Sequence, residues 1–279
     1  MTLATASAVR HPLRPCSSAD RVMWITPDRL FYAGLLGNPT EHVRGALVLY
    51  FALEAPVRLS VEGGPWRTAE AVLVQPCVPH RVACDARHVG AVYIEPETVD
   101  PAQLPALLRQ GSGPVELPGL AAHLRACHAR VLAMGQGEEL TPQDFDPLFF
   151  GRDFAVRRMD PRIAEVLETI KANPSAPATA EECARQVNLS FSRFLHLFKA
   201  EVGLPFRSFR TWRRARSLLH YVDRNYNLAQ VALDIGYPDS THFSHSIRQT
   251  YGLKPRDIFA GSRKLRMLGE PLAGMMRGH

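Results

Sequence analysis

The sequence lacks several features that define common protein classes. It has no apolar run of about 18 residues or more, the length that a membrane-spanning helix needs. The opening stretch, MTLATASAVRHPLRPC, holds no sustained apolar segment, so we expect no signal peptide and a cytoplasmic protein that does not contact membranes. Cysteines are few, and their odd number without a CxxC pair predicts no disulfide framework: Cys16, Cys77, Cys84, Cys127 and Cys183.

Motifs that mark enzymes are also missing. There is no nucleophile elbow, Walker loop, glycine fingerprint or zinc signature, so we predict a protein without catalytic residues, cofactor or metal. The one cluster that suggests a metal or oxidant sensor is Cys77, His80 and Cys84. A strand pair and its turn often gather such residues by chance, and buried small side chains are the alternative interpretation.

Lysine is scarce, with 4 residues against 29 arginines, and the charge is unevenly distributed. Residues 155–279 hold 20 Lys and Arg against 11 Asp and Glu, whereas residues 1–154 hold 13 against 16. The chain, at 279 residues, is long enough for two domains. A basic C-terminal half beside a mildly acidic N-terminal half is typical of nucleic-acid binding confined to one domain.

Between residues 22 and 96 the pattern favours short strands. PVRLSVEGG (56–64) alternates apolar and polar residues before a Gly-Gly turn, while GALVLYF (45–51) is a buried apolar run. EAVLVQP (70–76), HRVAC (80–84) and VGAVYIE (89–95) continue the series. Short strands at this spacing predict a small β-barrel or sandwich, a fold that commonly holds one small ligand.

After this region the apolar spacing becomes helical. LPGLAAHLRACHARVLAM (117–134) predicts a helix, a shorter one is expected within 142–150, and Asp160-Pro161 begins another that ends at Asn173-Pro174. We therefore predict a two-domain α+β protein. Its expected parts are a flexible arm (1–20), a barrel or sandwich (21–116), a helical linker and dimerisation region (117–157), an all-α domain (158–265) and a tail (266–279).

Within the all-α domain one pattern occurs twice. The copies read TAEECARQVNLSFSRFLHLFKAEVG (179–203) and NLAQVALDIGYPDSTHFSHSIRQTYG (227–252). Ala184 and Ala232 are 48 residues apart, and Phe194 and Phe243 are 49 apart, so the second copy has one extra residue in its turn. Two copies in register on the basic half indicate more than two ordinary helical hairpins.

Each copy fits a helix-turn-helix. Ala184 or Ala232 suits the close crossing of two helices, and Asn188 or Gly236 suits a sharp turn through the left-handed conformation. A polar residue then begins the second helix: Ser190 or Ser192 in the first copy, and Asp239 or Ser240 in the second. A long amphipathic helix, about 205–222, is predicted to join the units, and its polar face should be solvated or face phosphates: Arg207, Arg210, Arg213, Arg214 and Arg216.

Residues 160–262 resemble the AraC/XylS family of bacterial transcription regulators. The resemblance is carried by DPRIAEVLETI, SFSRFLHLFKAEVGLPF, the arginine-rich helix ending in RSLL, and DIGYPDSTHFSHSIRQTYGLKP. The N-terminal strands look like the cupin-type sensing domain that many members carry. This resemblance implies two units that place their second helices in successive major grooves of double-stranded DNA, under control of a ligand or dimer contact from the N-terminal domain.

The predicted DNA-contacting residues lie on the second helix of each unit. In the first unit we expect the apolar side chains Phe194, Leu197 and Phe198 to face inward. The outward face then carries Ser192, Arg193, Leu195, His196 and Lys199. Of these, the resemblance assigns base contacts to Ser192, Leu195 and His196. In the second it assigns them to Ser240, Thr241 and His245, with Ser244 and Arg248 nearby. For Leu195 two interpretations stay open, contact with a thymine methyl group or packing between domains. For His196 and His245 the alternatives are base recognition and contact with phosphate or solvent.

Control is predicted in the N-terminal half. Trp24, Trp66, His80 and Tyr93 are the candidate effector-binding residues, and Leu120, Leu124 and Val131 the candidate dimer contacts. The predicted partners are promoter or operator DNA, a small-molecule effector, a second copy of the chain and, for an activator, RNA polymerase. Two alternatives stay open, a cupin-type metalloenzyme with a helical appendage and an architectural DNA binder without an effector. The strand region offers His42, His80 and His88 but no His-x-His pair of the kind that cupin metal sites use.

Overall fold

The computed structural model describes residues 21–134, 140–222, 226–262 and 265–269. The predicted arm 1–20 with Cys16, part of the 117–157 linker and most of the 266–279 tail lie outside these residues. The strands in chain order are β1 (Val22–Ile25), β2 (Arg29–Leu35), β3 (Leu47–Ala52), β4 (Val57–Val61), β5 (Arg67–Ala69), β6 (Ala71–Val74), β7 (His80–Cys84), β8 (His88–Ile94), β9 (Gly113–Pro114) and β10 (Arg266–Leu268). The helices are α1 (Ala106–Arg109), α2 (Leu120–Met134), α3 (Phe145–Phe150), α4 (Pro161–Ala172), α5 (Ala180–Gln186), α6 (Phe191–Val202), α7 (Phe206–Ser217), α8 (Leu228–Asp234), α9 (Ser240–Tyr251) and α10 (Pro255–Ser262).

The strands form two sheets rather than a closed barrel. One has seven strands in the order β10-β1-β2-β8-β3-β6-β9, and the other has three in the order β5-β4-β7. The predicted sandwich is therefore confirmed and its closure into a barrel is not. The short strands β9 and β10 lie at the two edges of the large sheet, and a backbone bridge between His42 and His80 connects β7 to the chain before β3.

The large sheet is covered on both faces. In β3, Leu47, Leu49 and Phe51 pack into a core shared with α2 and α3, whereas Val48 and Tyr50 pack into a second core. This division follows from the strand's period of two residues, and it explains why the whole strand is buried. The second core contains residues of α7, α8 and α9, so the sheet and the second helix-turn-helix unit share one apolar interior.

The apolar stripe of α2 serves this internal core. Leu120, Leu124 and Val131 are all buried against the sheet and α3. The same chain therefore covers the three side chains for which dimer contacts were predicted, and they offer a second copy little exposed surface. A regular helical stripe shows that one helix face is buried, but it does not show whether the covering surface belongs to the same chain.

The C-terminal helices begin and end as the sequence predicts. Asp160 caps α4 by accepting a hydrogen bond from the Arg162 N–H, and the helix ends before Asn173. In the two helix-turn-helix units, Ala184 and Ala232 are buried at the helix crossings. Asn188 and Gly236 adopt positive φ angles of 54° and 84°, which confirms the left-handed turns. At Gly236 a side chain is excluded as well, because a Cβ atom would lie 2.4 Å from the Ser175 carbonyl oxygen.

Two segments differ from the sequence-based expectation. Arg266–Leu268, predicted as part of the tail, forms β10 and pairs in parallel with β1 at the edge of the large sheet. The Arg266 guanidinium also donates to the Leu132 carbonyl oxygen at 2.9 Å, which fixes this segment to the end of α2. The unpaired backbone groups of β1 explain why a short segment can add there.

The arginines of α7 differ more. Arg210, Arg213 and Arg216 are buried rather than solvated. Arg216 donates to the carbonyl oxygens of Thr26 and Arg29 at 2.5 and 2.8 Å, and Arg213 donates to that of Pro27. The part of the linking helix that carries Arg213 and Arg216 therefore meets the N-terminal sheet.

Candidate functional site

The second helix of the first unit presents a polar face to solvent. Ser190 caps α6 by accepting from the Arg193 N–H, and Phe194, Phe198 and Val202 are turned into the core. This orientation exposes Ser192, Arg193, His196 and Lys199 and leaves Leu195 half-buried. The predicted contact residues thus share one surface, with Leu195 at its apolar border.

The second unit has the same arrangement. The Asp239 carboxylate accepts from the N–H groups of Thr241 and His242, both at 2.8 Å, and so begins α9. Phe243, Ile247 and Thr250 are buried. The predicted residues Ser240, Thr241, His245 and Arg248 are exposed, and Ser244 is half-buried.

A groove of about 640 Å³ lies between the units. Arg207, Arg210 and Arg214 of α7 line one side, and His242 and His245 of α9 line the other. Within the described part of the chain no acidic residue lines this groove. An arginine-rich groove beside the exposed face of α9 suits a phosphate backbone, which carries a negative charge at each nucleotide.

The sequence reasoning missed one aromatic residue at this surface. Phe191, the first residue of α6, is 47% exposed, although the three other phenylalanines between 191 and 206 are buried. Its position next to Ser192 places an apolar ring among the predicted base-contacting residues. The sequence signal that could have identified Phe191 is its position at the predicted start of α6, just before the apolar positions that begin at Phe194.

A second cavity, of about 320 Å³, lies between the large sheet and the C-terminal helices. The sheet side is formed by apolar residues such as Met23, Leu30 and Val89 together with Tyr32, Tyr50 and Tyr93, and the opposite side by Leu219, Tyr251 and residues of α10. It is thus mainly apolar with several phenol groups. A cavity of this size suits a small organic ligand.

Only part of the predicted effector set is found at this cavity. Tyr93 lines it, and His80 lies directly behind it, with Nε2 3.2 Å from the Tyr50 hydroxyl oxygen. Trp24 is on the other face of the sheet, packed on Phe145 at a ring-centroid distance of 4.9 Å. Trp66 is exposed beside Arg81. The cavity includes a residue that the sequence reasoning did not single out, Arg44.

Two buried histidines lie beside the cavity. The rings of His42 and His80 have centroids 4.2 Å apart, and each Nδ1 lies 2.9 Å from a backbone carbonyl oxygen. Burial, with the nearby Arg44 charge, lowers the pKa of His80 to about 3 and holds the pKa of His42 well below its usual value. Both rings are therefore neutral at pH 7.

These histidines predict acid sensitivity. Because their folded-state pKa values lie below the unfolded value, the unfolded chain takes up more protons between about pH 6.5 and pH 3. Stability should therefore fall as the pH falls through that window, by about 2 kcal/mol for His80 between neutral pH and pH 5, with a further loss of the same sign from His42. Urea unfolding at pH 7 and pH 5 measures this loss. His80→Gln should reduce it, and an unchanged loss would contradict the assignment.

Across the described ranges of the chain, no group of three or more His, Cys, Asp or Glu residues is placed to hold a metal ion. Cys84 donates to the Ala55 carbonyl oxygen at 3.4 Å, and burial raises the pKa of the Cys77 thiol. Among residues 21–134, 140–222, 226–262 and 265–269 no helix has the length and hydropathy to cross a membrane.

Comparison with solved structures supports the fold. ToxT from Vibrio cholerae O395 superposes with a TM-score of 0.55 over 85% of this chain and 100% of its own, at 9% identity. A second structure of that protein, bound to (E)-4-(8-methylnaphthalen-1-yl)but-3-enoic acid, gives the same TM-score over 84% of this chain and 98% of its own, at 8% identity. At such low identity the likeness shows the two-domain fold alone.

Sequence comparison identifies the C-terminal region. Residues 183–261 match the profile of a Helix-turn-helix domain. Invasion protein InvF of Salmonella typhi is 31% identical over 88 residues, which is 31% of this chain and 41% of InvF. The HTH-type transcriptional regulator GbdR of Pseudomonas aeruginosa is 30% identical over 122 residues, which is 41% of this chain and 30% of GbdR. The chain thus matches less than half the length of either relative, and these matches confirm that its C-terminal helix-turn-helix region resembles the AraC/XylS family.

Proposed function

We propose that this protein is a sequence-specific DNA-binding transcription regulator controlled by a small molecule held in its N-terminal sandwich. The observation that carries the proposal is the pair of exposed polar helix faces, on α6 and α9, together with an arginine-lined groove beside α9 in which no acidic residue of the described chain is found. Such helices read base edges in the major groove, while arginines bind phosphates and fix the register.

The relatives support this proposal. GbdR and AlkR of Acinetobacter baylyi are named HTH-type transcriptional regulators, and their matches cover 41% and 35% of this chain. The ligand-bound ToxT structure shows that a protein of this fold accommodates a small organic molecule. Control by a small-molecule effector distinguishes this proposal from the alternative of an architectural DNA-binding protein, which has no effector. The cytoplasm, where promoter DNA is found in bacteria, is the location that this function requires.

Within the reading surface we assign different roles to histidine and arginine. Ser240, Thr241 and His245 are short or neutral, so base discrimination at the second half-site should come from single hydrogen bonds. His196 has the corresponding role in the first unit. Arg248, exposed one turn further along α9, should bind phosphate and not select bases. Lys199 occupies the equivalent position on α6.

Binding measurements on single-base operator variants check these roles. His196→Ala and His245→Ala should each relax preference at one or two base pairs, in half-sites about one helical turn apart. Arg248→Ala should weaken binding to all sequences alike. It should also reduce the slope of the logarithm of the binding constant against the logarithm of the salt concentration by about one. The full chain should bind less tightly as salt increases, and a flat response would refute phosphate binding. If the histidine variants lose affinity uniformly while Arg248→Ala alters base preference, the roles are reversed.

The homodimer and the contact with RNA polymerase remain predictions without assigned residues. The buried position of Leu120, Leu124 and Val131 removes the contacts that the sequence suggested for a dimer. Two helix-turn-helix units in one chain already supply two reading helices, so half-site recognition does not itself require a second copy.

A further inference from the structure

Arg44 is a buried cation without an acidic partner. Its side chain is 7% exposed, and within the described residues no carboxylate forms an ion pair with it. Removing a guanidinium from water costs several kcal/mol unless an opposite charge compensates, and buried charges in proteins are therefore usually paired. Arg216, another buried arginine at this interface, follows that rule, with its Nε 2.8 Å from Glu95 Oε1.

Neutral groups occupy only part of the guanidinium. Arg44 Nη1 donates to the hydroxyl oxygens of Tyr50 and of Tyr93, the latter at 2.6 Å, and Nε lies 3.4 Å from the Thr250 carbonyl oxygen. In the described chain Nη2 has no hydrogen-bond partner, although arginine carries five N–H donors. Arg44 lines both the 320 Å³ cavity and the 640 Å³ groove, but the two phenols that accept from its Nη1, Tyr50 and Tyr93, line the cavity alone.

The neighbouring phenols are donors at neutral pH, because burial raises the pKa of both Tyr50 and Tyr93. His80 Nδ1 lies 2.9 Å from the Val78 carbonyl oxygen and so carries the ring proton, which makes Nε2 an acceptor for the Tyr50 hydroxyl. The Tyr93 hydroxyl accepts from Arg44 and has one proton of its own to donate. Arg44 and Tyr93 together therefore present two donors to one acceptor group.

We infer that this cavity binds a small organic carboxylate, with its carboxylate on Arg44 and Tyr93 and its apolar body against Met23, Leu30 and Val89. This inference deepens the proposed function, since it names the ligand class of the regulator. A planar carboxylate matches the fork of a guanidinium and supplies the missing charge. The other charged lining residues, Arg87 and Asp257, lie toward the exposed side. A largely apolar lining favours one negative charge on an apolar body over a sugar or a phosphate ester.

The same arginine reaches the second reading helix. The last carbonyl groups of a helix have no partner within it. At the end of α9 they are satisfied by the segment around Arg44: the Val43 N–H donates to the Gln249 oxygen at 2.9 Å, and the Thr40 hydroxyl donates to the Gly252 oxygen at 2.5 Å. A carboxylate bound to Arg44 would therefore contact the same guanidinium that lies 3.4 Å from the Thr250 carbonyl oxygen, near the end of α9. Ligand binding should affect the second half-site more than the first.

Titration calorimetry on the full chain without DNA tests the inference. Octanoate and cinnamate are the probes, and octanamide and cinnamamide are neutral analogues of the same shape. We expect at least one carboxylate to bind, and to bind at least tenfold more tightly than its amide. Equal affinities for acid and amide, or no binding of either acid, would overturn the inference.

Two variants assign the site. Arg44→Met should lower carboxylate affinity at least tenfold, and Tyr93→Phe, which removes only a hydroxyl, about tenfold. Arg81→Met is the matched control, because Arg81 stacks beside Trp66 outside the cavity, and it should bind as the unaltered chain does. Retained affinity in both Arg44→Met and Tyr93→Phe would refute the site. If Arg44→Met does not fold, Tyr93→Phe and the acid–amide comparison still decide.

A separate DNA-binding assay distinguishes this inference from the proposed function. DNA binding without carboxylate binding would overturn the ligand assignment alone. Carboxylate binding that depends on Arg44, without sequence-specific DNA binding, would overturn the proposed function and leave the ligand site established.

Discussion

Replacing Glu95 by alanine should lower the free energy of unfolding by about 3–5 kcal/mol, the usual effect of removing one partner from a buried ion pair. The Glu95 carboxylate is 1% exposed at the end of β8 and contacts three side chains of α7. It accepts from the Trp212 indole N–H at 2.7 Å, and its Oε1 lies 2.8 Å from Arg216 and 4.0 Å from Arg213. Without it two arginine charges stay buried and uncompensated.

The matched control is Glu70→Ala. Glu70 forms an ion pair with Arg125 at 3.0 Å, but its side chain is 55% exposed, so its loss should cost at most about 1 kcal/mol. Glu95→Gln separates charge from packing, since it keeps the volume and removes the charge. Urea unfolding followed by circular dichroism provides the comparison. Similar losses for Glu95→Ala and Glu70→Ala would contradict the view that Glu95 joins the sandwich to the linking helix.

The second large effect is expected at Phe194. Its side chain is fully buried in the first unit, with its ring centroid 5.7 Å from that of Phe198 and 5.4 Å from that of Phe206. Phe194→Ala should destabilise the protein by about 3–5 kcal/mol, because it removes apolar contacts and leaves a cavity.

Phe191→Ala is the control on the same helix. Phe191 is 47% exposed, so the same change three residues earlier should have little effect on stability. If Phe191→Ala reduced stability as much as Phe194→Ala, the orientation of α6 would be wrong. The exposed face on which Ser192, His196 and Lys199 lie would then also be wrong.

The helix-turn-helix units could be predicted because their determinants are local. A small residue at a crossing, a left-handed turn at Asn188 or Gly236 and a polar cap at Ser190 or Asp239 act within a few residues of chain. Each is steric or depends on nearby hydrogen bonds. The structure confirms these features and, of the two cap candidates in each unit, it selects Ser190 and Asp239.

The sequence reasoning failed where the determinant is distant in the chain. The sequence pattern treats the arginines of α7 as one polar face, but what covers Arg213 and Arg216 depends on Glu95 and on backbone carbonyls near Thr26, more than 100 residues away. Pattern alone suggests solvent or phosphate, as it suggested a second copy of the chain for the buried stripe of α2. Arg44 was missed for the same reason, because its phenol and carbonyl partners come from β3, β8 and α9.

The two units are packed differently, and this has a functional consequence. The first has its own core, whereas the second shares its core with the N-terminal sheet and has the end of α9 bound by residues 40–44. A signal from the sandwich should therefore reach the second half-site directly. The first unit has a core of its own and contacts the N-terminal half through α7 and through polar pairs such as Lys171 with Asp28 at 2.9 Å, so it should respond less directly.

The most direct test of the central claim is selection of bound fragments from a random DNA pool with the full chain. Two reading helices predict two short enriched motifs separated by about one helical turn. His196→Ala should degrade one motif and His245→Ala the other. Enrichment of no motif, or of a single motif that both variants degrade alike, would contradict the account.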